Sequence, residues 1–182
     1  MAEITSPVSS RIHLRALKPG DAEQLSQWLC DQDVIKTSPH FGDTSEEFLK
    51  KWIRGSKLAG RLPLGIMESI ENSLIGMATL HVVNTLHGSA QTGILIGRKD
   101  LWRMGYGNAV QQRILELAFE KLNLHLVEAH ISSDDKAAKG LAEKCGYEFI
   151  GQVSSAYPRI DGKRADKHIY VISKSRWLAS KK

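Results

Sequence analysis

The stretch "LWRMGYGNAV", residues 101–110, decides the fold. It follows the apolar, β-branched run "GILIG" and precedes a long helical pattern. A strand, a glycine-containing turn and the start of a helix together present unpaired backbone N–H groups and a partial positive charge, and glycine lets an anion approach the backbone closely. The stretch therefore predicts a phosphate-binding turn at Gly105 and Gly107, an outline that several protein families share.

Length and composition indicate an ordinary globular protein. The chain has 182 residues, of which 42% are hydrophobic and 25% charged, enough to bury a core of its own. It contains no apolar run of the roughly 18 residues that span a membrane, and the polar start "MAEITSPVSS" is not typical of a secretory signal. We expect a flexible lead-in over residues 1–9, one domain over 10–178 and a basic tail over 179–182.

The net charge and the two cysteines indicate which ligands and which cellular compartment to expect. The net charge of +5 suits a polyanion, either nucleic acid or a multiply phosphorylated cofactor, although scattered surface Lys and Arg explain it more simply. Cys30 and Cys145 lie far apart and outside any CxxC spacing. We therefore expect free thiols, a reducing cytoplasmic location and no metal site.

The hydrophobic pattern predicts an α+β (mixed α/β) domain. Helices are expected in "KPGDAEQLSQWLCDQ", in "GDTSEEFLKKWIRG" with a capping box from Thr44 to Glu47, over about 108–122, and in "DDKAAKGLAEKCG". Strands are expected in "RIHLRAL", on both sides of a turn at Asn72–Ser73, and in "AQTGILIG", "LHLVEAHIS", "YEFIGQV" and "DKHIYVIS".

Two other phosphate-binding turns fit poorly. The Walker A pattern GxxxxGK[ST] does not occur in the chain. A dinucleotide-binding turn would use Gly105 and Gly107, but Val110 stands where a third small residue is needed, and Glu128 lies inside a strand.

The block from Trp102 to Gly107 resembles the [RQ]xxGx[GA] signature of the GNAT superfamily of acyl-CoA N-acetyltransferases. Trp102 departs from the general signature and is similar to the branch of ribosomal-protein N-terminal (alanine/serine) acetyltransferases. The blocks "IHLRALKPGDAEQLSQWL", "LVEAHISSDDKAAKGLAEKCGYEFIG" and "DKHIYVISKSRW" also resemble that branch. The resemblance implies a central mixed sheet of about seven strands, flanked by helices and splayed between strands 4 and 5.

The resemblance also implies how acetyl-CoA is held. Backbone N–H groups of the turn would bind the pyrophosphate, the fourth strand would pair with the pantetheine arm, and a bulge near Ile94 or Leu95 would aim one N–H at the thioester oxygen. The implied cofactor-binding residues are Ile94, Leu95, Ile96, Arg98, Trp102, Arg103, Met104, Gly105, Tyr106, Gly107, Asn108, Asp135 and Gly140.

The catalytic residues are less well defined. Gln91 stands where related enzymes often carry a carboxylate base, so it can orient water or substrate but cannot accept the proton permanently. His81 is the first substitute and His87 another, while Glu128 and His130 carry less weight.

The sequence also does not identify one residue as the acid that protonates the departing thiolate. Ala138 and Ala142 occupy the positions where the family often has a hydroxyl. Ser133 and Tyr157 are therefore the remaining hydroxyl candidates.

The predicted function is direct acetyl transfer from acetyl-CoA to a primary amine. A protein or peptide N-terminus is the first acceptor, with an amino sugar, polyamine or aminoglycoside as alternatives. A non-catalytic acyl-CoA sensor is a second hypothesis, and ribosome or nucleic-acid contact through "SKSRWLASKK" is a third that we do not expect. Similar proteins are commonly dimers, and no membrane partner is expected.

Overall fold

A computed structural model describes residues 8–35, 42–56, 58–84, 86–159 and 161–181. The predicted lead-in over 1–9 lies almost entirely outside these residues.

Among the residues that the structure describes, seven strands form one mixed sheet. Its order is β1-β2-β3-β4-β5-β7-β6; the β4–β5 pair is parallel and the others are antiparallel. This confirms the predicted fold class. The strands are β1 Ile12–Ala16, β2 Leu62–Glu68, β3 Ser73–Asn84, β4 Ser89–Ile96, β5 Leu126–Ser132, β6 Glu148–Pro158 and β7 Arg164–Ser173.

In the described part of the chain, six α-helices flank the sheet. Helix α3 begins after Ser45, whose side chain accepts from the Phe48 N–H at 3.3 Å, so the predicted cap at Thr44 was wrong by one residue. The helices are α1 Ala22–Cys30, α2 Gln32–Ile35, α3 Glu46–Gly55, α4 Tyr106–Glu116, α5 Lys136–Lys144 and α6 Lys174–Ser180; a π-helical turn, Leu117–Lys121, follows α4.

Two apolar clusters pack on opposite faces of the sheet. One includes Ile114 of α4, Ala142 of α5 and the buried residues Val127 and Ile172 of β5 and β7. The other includes Leu25 of α1, Leu49 of α3, and Met77 and Leu95 of β3 and β4. We call these the α4 face and the α1 face.

The carboxyl-terminal segment differs from the prediction. Strand β7 ends at Ser173, whose side chain accepts from the Arg176 N–H at 3.2 Å and caps α6. Trp177 of α6 is buried and packs on Phe119, with ring centroids 5.3 Å apart. Residues 179 and 180 of the expected tail therefore belong to helix α6.

The sheet opens between β4 and β5. Their pairing runs only from Ser89↔Leu126 to Thr92↔Ala129, whereas β4 stays paired with β3 as far as Ile96. The expected bulge near Ile94 or Leu95 was wrong, because the β3–β4 register is unbroken there and shifts only between His81 and Asn84. The sheet opens because the hydrogen-bonded pairing of the parallel strands β4 and β5 ends at Thr92↔Ala129.

Candidate active site

The glycine turn leaves the start of α4 accessible. Gly105 is the residue before α4, with φ 90°, and Arg103 also has a positive φ of 62°. Glycine adopts this left-handed conformation without steric cost. Among the described residues no side chain caps α4, and its first turn contains no acidic residue. The N–H groups at this end are therefore available to an anion such as a pyrophosphate.

Gly107 lies where α4 approaches α5. A Cβ at this position would stand 3.4 Å from Cδ2 of Leu141, an ordinary contact distance. Around the turn Arg103 and Met104 are exposed, whereas the Tyr106 side chain is buried. Tyr106 is thus confined to a backbone role in the predicted cradle.

Trp102 and Arg98 hold the turn against the sheet. The Trp102 indole N–H donates to the Ile96 carbonyl at 2.9 Å. The Arg98 guanidinium pairs with Asp100 and Glu71, and these hydrogen bonds raise its pKa. Contacts of these two side chains with coenzyme A stay predictions.

Beyond Thr92, strand β4 is no longer paired with β5. The apolar side chains of this segment pack into the two apolar clusters. Leu95 is buried in the α1-face cluster, and Ile94 and Ile96 pack on the α4-face cluster. Their predicted role toward the pantetheine arm is therefore a backbone role.

Thr92, which the sequence analysis did not single out, lies at the last β4–β5 pair. Its hydroxyl is buried and has no hydrogen-bond partner among the described residues. A buried hydroxyl without a partner costs about 1–3 kcal/mol. Within the ranges that the structure describes, Thr92 thus carries an unsatisfied hydroxyl at the position where the β4–β5 pairing ends.

A polar row crosses the α1 face beside the opening. His81 of β3 pairs in register with Gln91 of β4, which pairs with Glu128 of β5. His130 follows two residues along β5, and its Nε2 lies 3.0 Å from Oε2 of Glu128. We call these four residues the polar row. It brings the predicted His81 and Gln91 beside Glu128 and His130, the two residues that carried less weight in the sequence analysis.

The surroundings of His81 lower its pKa. Its Nδ1 lies 3.2 Å from the Thr79 hydroxyl. Burial lowers its pKa most, a hydrogen bond with Gln91 opposes this, and electrostatic interactions with Arg61 and His130 lower the pKa further. His87, by contrast, is exposed in the turn before β4.

Ser133 and Tyr157 lie away from the polar row. The Ser133 hydroxyl accepts from the Asp166 N–H at 3.2 Å, beyond the end of β5. Tyr157 pairs with Ala165 and is half-buried, and burial raises its pKa. Both keep a hydroxyl proton at neutral pH, and their role as acid stays a prediction.

The remaining predicted cofactor residues lie on or against α5. Asp135 caps the helix, accepting from the Ala138 N–H at 2.8 Å, and Gly140 is exposed with open space around it. Asn108 of α4 accepts from the buried Cys145 thiol at 3.4 Å. The contacts of these residues with acetyl-CoA stay predictions.

The comparisons with known proteins agree with this geometry. The acetyltransferase (GNAT) domain family model matches residues 11–148. Spermidine N(1)-acetyltransferase of Vibrio cholerae is 27% identical over 94% of this chain and 98% of its own. The putative ribosomal N-acetyltransferase YdaF of Bacillus subtilis is 24% identical over 97% and 99%. The crystal structure of the V. cholerae spermidine N-acetyltransferase with CoA and spermine superimposes with a TM-score of 0.85 at 23% identity, covering 93% of this chain and 99% of that one.

The chain belongs to the GNAT acetyltransferase family. It is an acetyl-CoA-dependent N-acetyltransferase that transfers an acetyl group to an amine. Among the described residues no group of three His, Cys, Asp or Glu side chains is arranged to hold a metal ion. No helix in the described part of the chain is long and apolar enough to cross a membrane.

Proposed function

We propose that the acceptor is the α-amino group of a peptide or protein N-terminus. The observation that carries this proposal is the charge of the polar row. Its one carboxylate, Glu128, is already paired with His130, and the positive charge of Arg61 acts on His81. An acceptor with a single positive charge suits this row better than a polycation does.

The basicity of the acceptor supports the same proposal. An α-amino group has a pKa near 8 and an alkyl amine one near 10, so roughly 100-fold more of the former is neutral at pH 7. The row offers imidazole rather than a strong base, and the pKa of His81 is lowered. A site of this kind suits an amine that needs little help to lose its proton.

The proposed reaction is a direct transfer within one complex. The turn at Gly105 and Gly107 binds the pyrophosphate, and the thioester reaches the opening beyond Thr92. The amine nitrogen attacks the carbonyl carbon, a backbone N–H of β4 stabilises the oxyanion, and the C–S bond breaks. Ser133 and Tyr157 are the candidates to protonate the thiolate.

A polyamine acceptor is the second candidate, because one relative is named spermidine N(1)-acetyltransferase. Binding of a polyamine requires further carboxylates, in addition to Glu128, on the side of the site that the acceptor enters.

The test compares matched acceptors by release of the coenzyme A thiol. One peptide has a free N-terminus and no lysine, a second has the same sequence with a blocked N-terminus and one lysine, and spermidine is the third acceptor. We expect kcat/KM for the first peptide to exceed the other two values by at least about tenfold. A preference for spermidine would overturn the proposal in favour of the polyamine reading.

We also propose a cytoplasmic location and a homodimer. The exposed free thiol of Cys30 supports a reducing compartment. A V. cholerae relative forms a dodecamer, which supports assembly of some kind. Sedimentation velocity decides the assembly, and a monomer at micromolar concentration would contradict the homodimer.

A further inference from the structure

We infer that His130 is the base of the acetyl transfer and that Glu128 positions it. The inference rests on the proposed transfer to an amine. Gln91 is the β4 residue of the polar row, and its amide is not a base near neutral pH, so a proton acceptor in the row must come from another strand.

The end of the β4–β5 ladder places His130. The last pair is Thr92↔Ala129, so His130 is the first residue of β5 beyond the ladder. Its side chain is on the α1 face, because it alternates with that of Ala129 on the opposite face. On β4 the freed segment begins at Gly93. His130 therefore stands at the mouth of the opening, where the thioester and the amine meet.

This part of the α1 face is accessible to an acceptor. The β7 partners of His130 and Glu128 are Ile169 and Val171, and both are only half-buried. The neighbouring β7 residues on the α4 face, Tyr170 and Ile172, are 3% and 1% exposed. An amine can therefore approach the row from the α1 face.

Glu128 fixes the ring of His130. With its Oε2 at 3.0 Å from Nε2, the carboxylate accepts the Nε2 proton, which leaves the lone pair of Nδ1 to receive another proton. His81 is the contrasting case, because its Nδ1 is held by Thr79 and its protonated form is opposed by Arg61 and His130.

The proton and electrons balance in three steps. The neutral amine nitrogen forms a bond to the carbonyl carbon, and an N–H proton of the tetrahedral intermediate moves to Nδ1 of His130. The C–S bond then breaks, and its electron pair stays on sulfur. The imidazolium passes its proton to the thiolate through water or through the hydroxyl of Ser133 or Tyr157, which gives the amide and the free thiol of coenzyme A.

Kinetics of three variants test the assignment. We expect His130→Gln to lower kcat about 100-fold with KM for acetyl-CoA nearly unchanged, as for loss of a general base. It should also remove the acid limb of the kcat profile against pH, whereas His81→Gln should retain that limb. His13→Gln is the matched control. His13 is also a strand histidine, but it lies on the edge strand β1, away from the polar row, and its Nδ1 is 3.3 Å from the Ser69 hydroxyl. A His130→Gln enzyme with at least half of the wild-type kcat would overturn the assignment.

A second measurement needs no acceptor. Nitrogen-15 spectra of labelled histidine report which ring nitrogen carries the proton. We expect the Nε2–H tautomer for His130 in the wild type and a mixture of tautomers in Glu128→Gln. An unchanged tautomer would overturn the role of Glu128. If the wild type acetylates no amine at all, the proposed function fails, and these spectra still decide whether Glu128 fixes the ring.

Discussion

Gln91 on β4 lies directly opposite Glu128 on β5. The carboxylate that is missing from the fourth strand is thus present on the fifth, one strand spacing away. Glu128 in turn contacts His130 at the point where the two strands separate. In the proposed mechanism, this relationship supplies a group that accepts a proton although Gln91 cannot.

Gly107→Glu should separate stability from binding. A carboxylate in the first turn of α4 interacts favourably with the helix dipole, and the new Cβ makes only an ordinary contact with Leu141. We expect an unchanged or slightly higher melting temperature, and a Kd for coenzyme A at least about tenfold higher because the carboxylate repels the pyrophosphate. Calorimetry measures both quantities.

Gly107→Gln is the matched control for bulk without charge. It should weaken binding less than Gly107→Glu does. Equal affinity of all three proteins for coenzyme A would show that the phosphates bind elsewhere.

Gly140→Ala should stabilise the protein and weaken binding. The position is exposed, inside α5 and surrounded by open space, so alanine should add about 0.5–1 kcal/mol to the free energy of unfolding. If the pantetheine arm passes this helix, the methyl group raises the Kd for acetyl-CoA. Gly55→Ala, at the exposed end of α3, is the control that should change stability alone. An unaltered Kd in Gly140→Ala would remove Gly140 from the cofactor site.

His81 should make the protein less stable in acid. Burial lowers its folded-state pKa below the ordinary value of 6.5, while Thr79, Gln91, Arg61 and His130 face its ring. Below about pH 6.5 the unfolded chain binds the proton first, so the free energy of unfolding falls as the pH drops toward the folded-state pKa.

Urea titrations between pH 5 and pH 7.5 measure this effect. His81→Gln should show a flatter dependence on pH than the wild type, and His13→Gln should follow the wild type. Parallel curves for His81→Gln and the wild type would refute the expectation.

The two thiols should differ in reactivity. Burial raises the pKa of Cys145 to about 11, whereas Cys30 is exposed. Because the thiolate is the reactive form, alkylation of the native protein at pH 7.5 should modify one thiol per chain. Mass spectrometry counts the modified sites, and Cys30→Ser should leave none. Modification of Cys145 at the same rate as Cys30 would contradict its burial.

Local signals predicted the turn and the fold class well. The turn follows from adjacent residues, with glycine at Gly105 where φ is positive. The spacing of hydrophobic residues, which differs between strands and helices, predicted the order of the secondary-structure elements along the chain. The short helix α6 was missed because its stability depends on the distant contact of Trp177 with Phe119, which no local pattern reveals.

The composition of the polar row was harder to predict. Gln91 and Glu128 are 37 residues apart in the sequence, and helix α4 joins their strands. Which residue of β5 faces Gln91 is set by the length and packing of that crossover. A shift of one residue would have turned Glu128 and His130 to the opposite face.

The most direct test of the central claim measures thiol release from acetyl-CoA with and without an N-terminal peptide amine, in the wild type and in Gly107→Glu. We predict release that requires the amine, yields acetylated peptide in equal amount and, at acetyl-CoA concentrations below the wild-type KM, is at least about tenfold slower in Gly107→Glu. Release at the same rate without the amine, or in Gly107→Glu, would contradict acetyl transfer at this site.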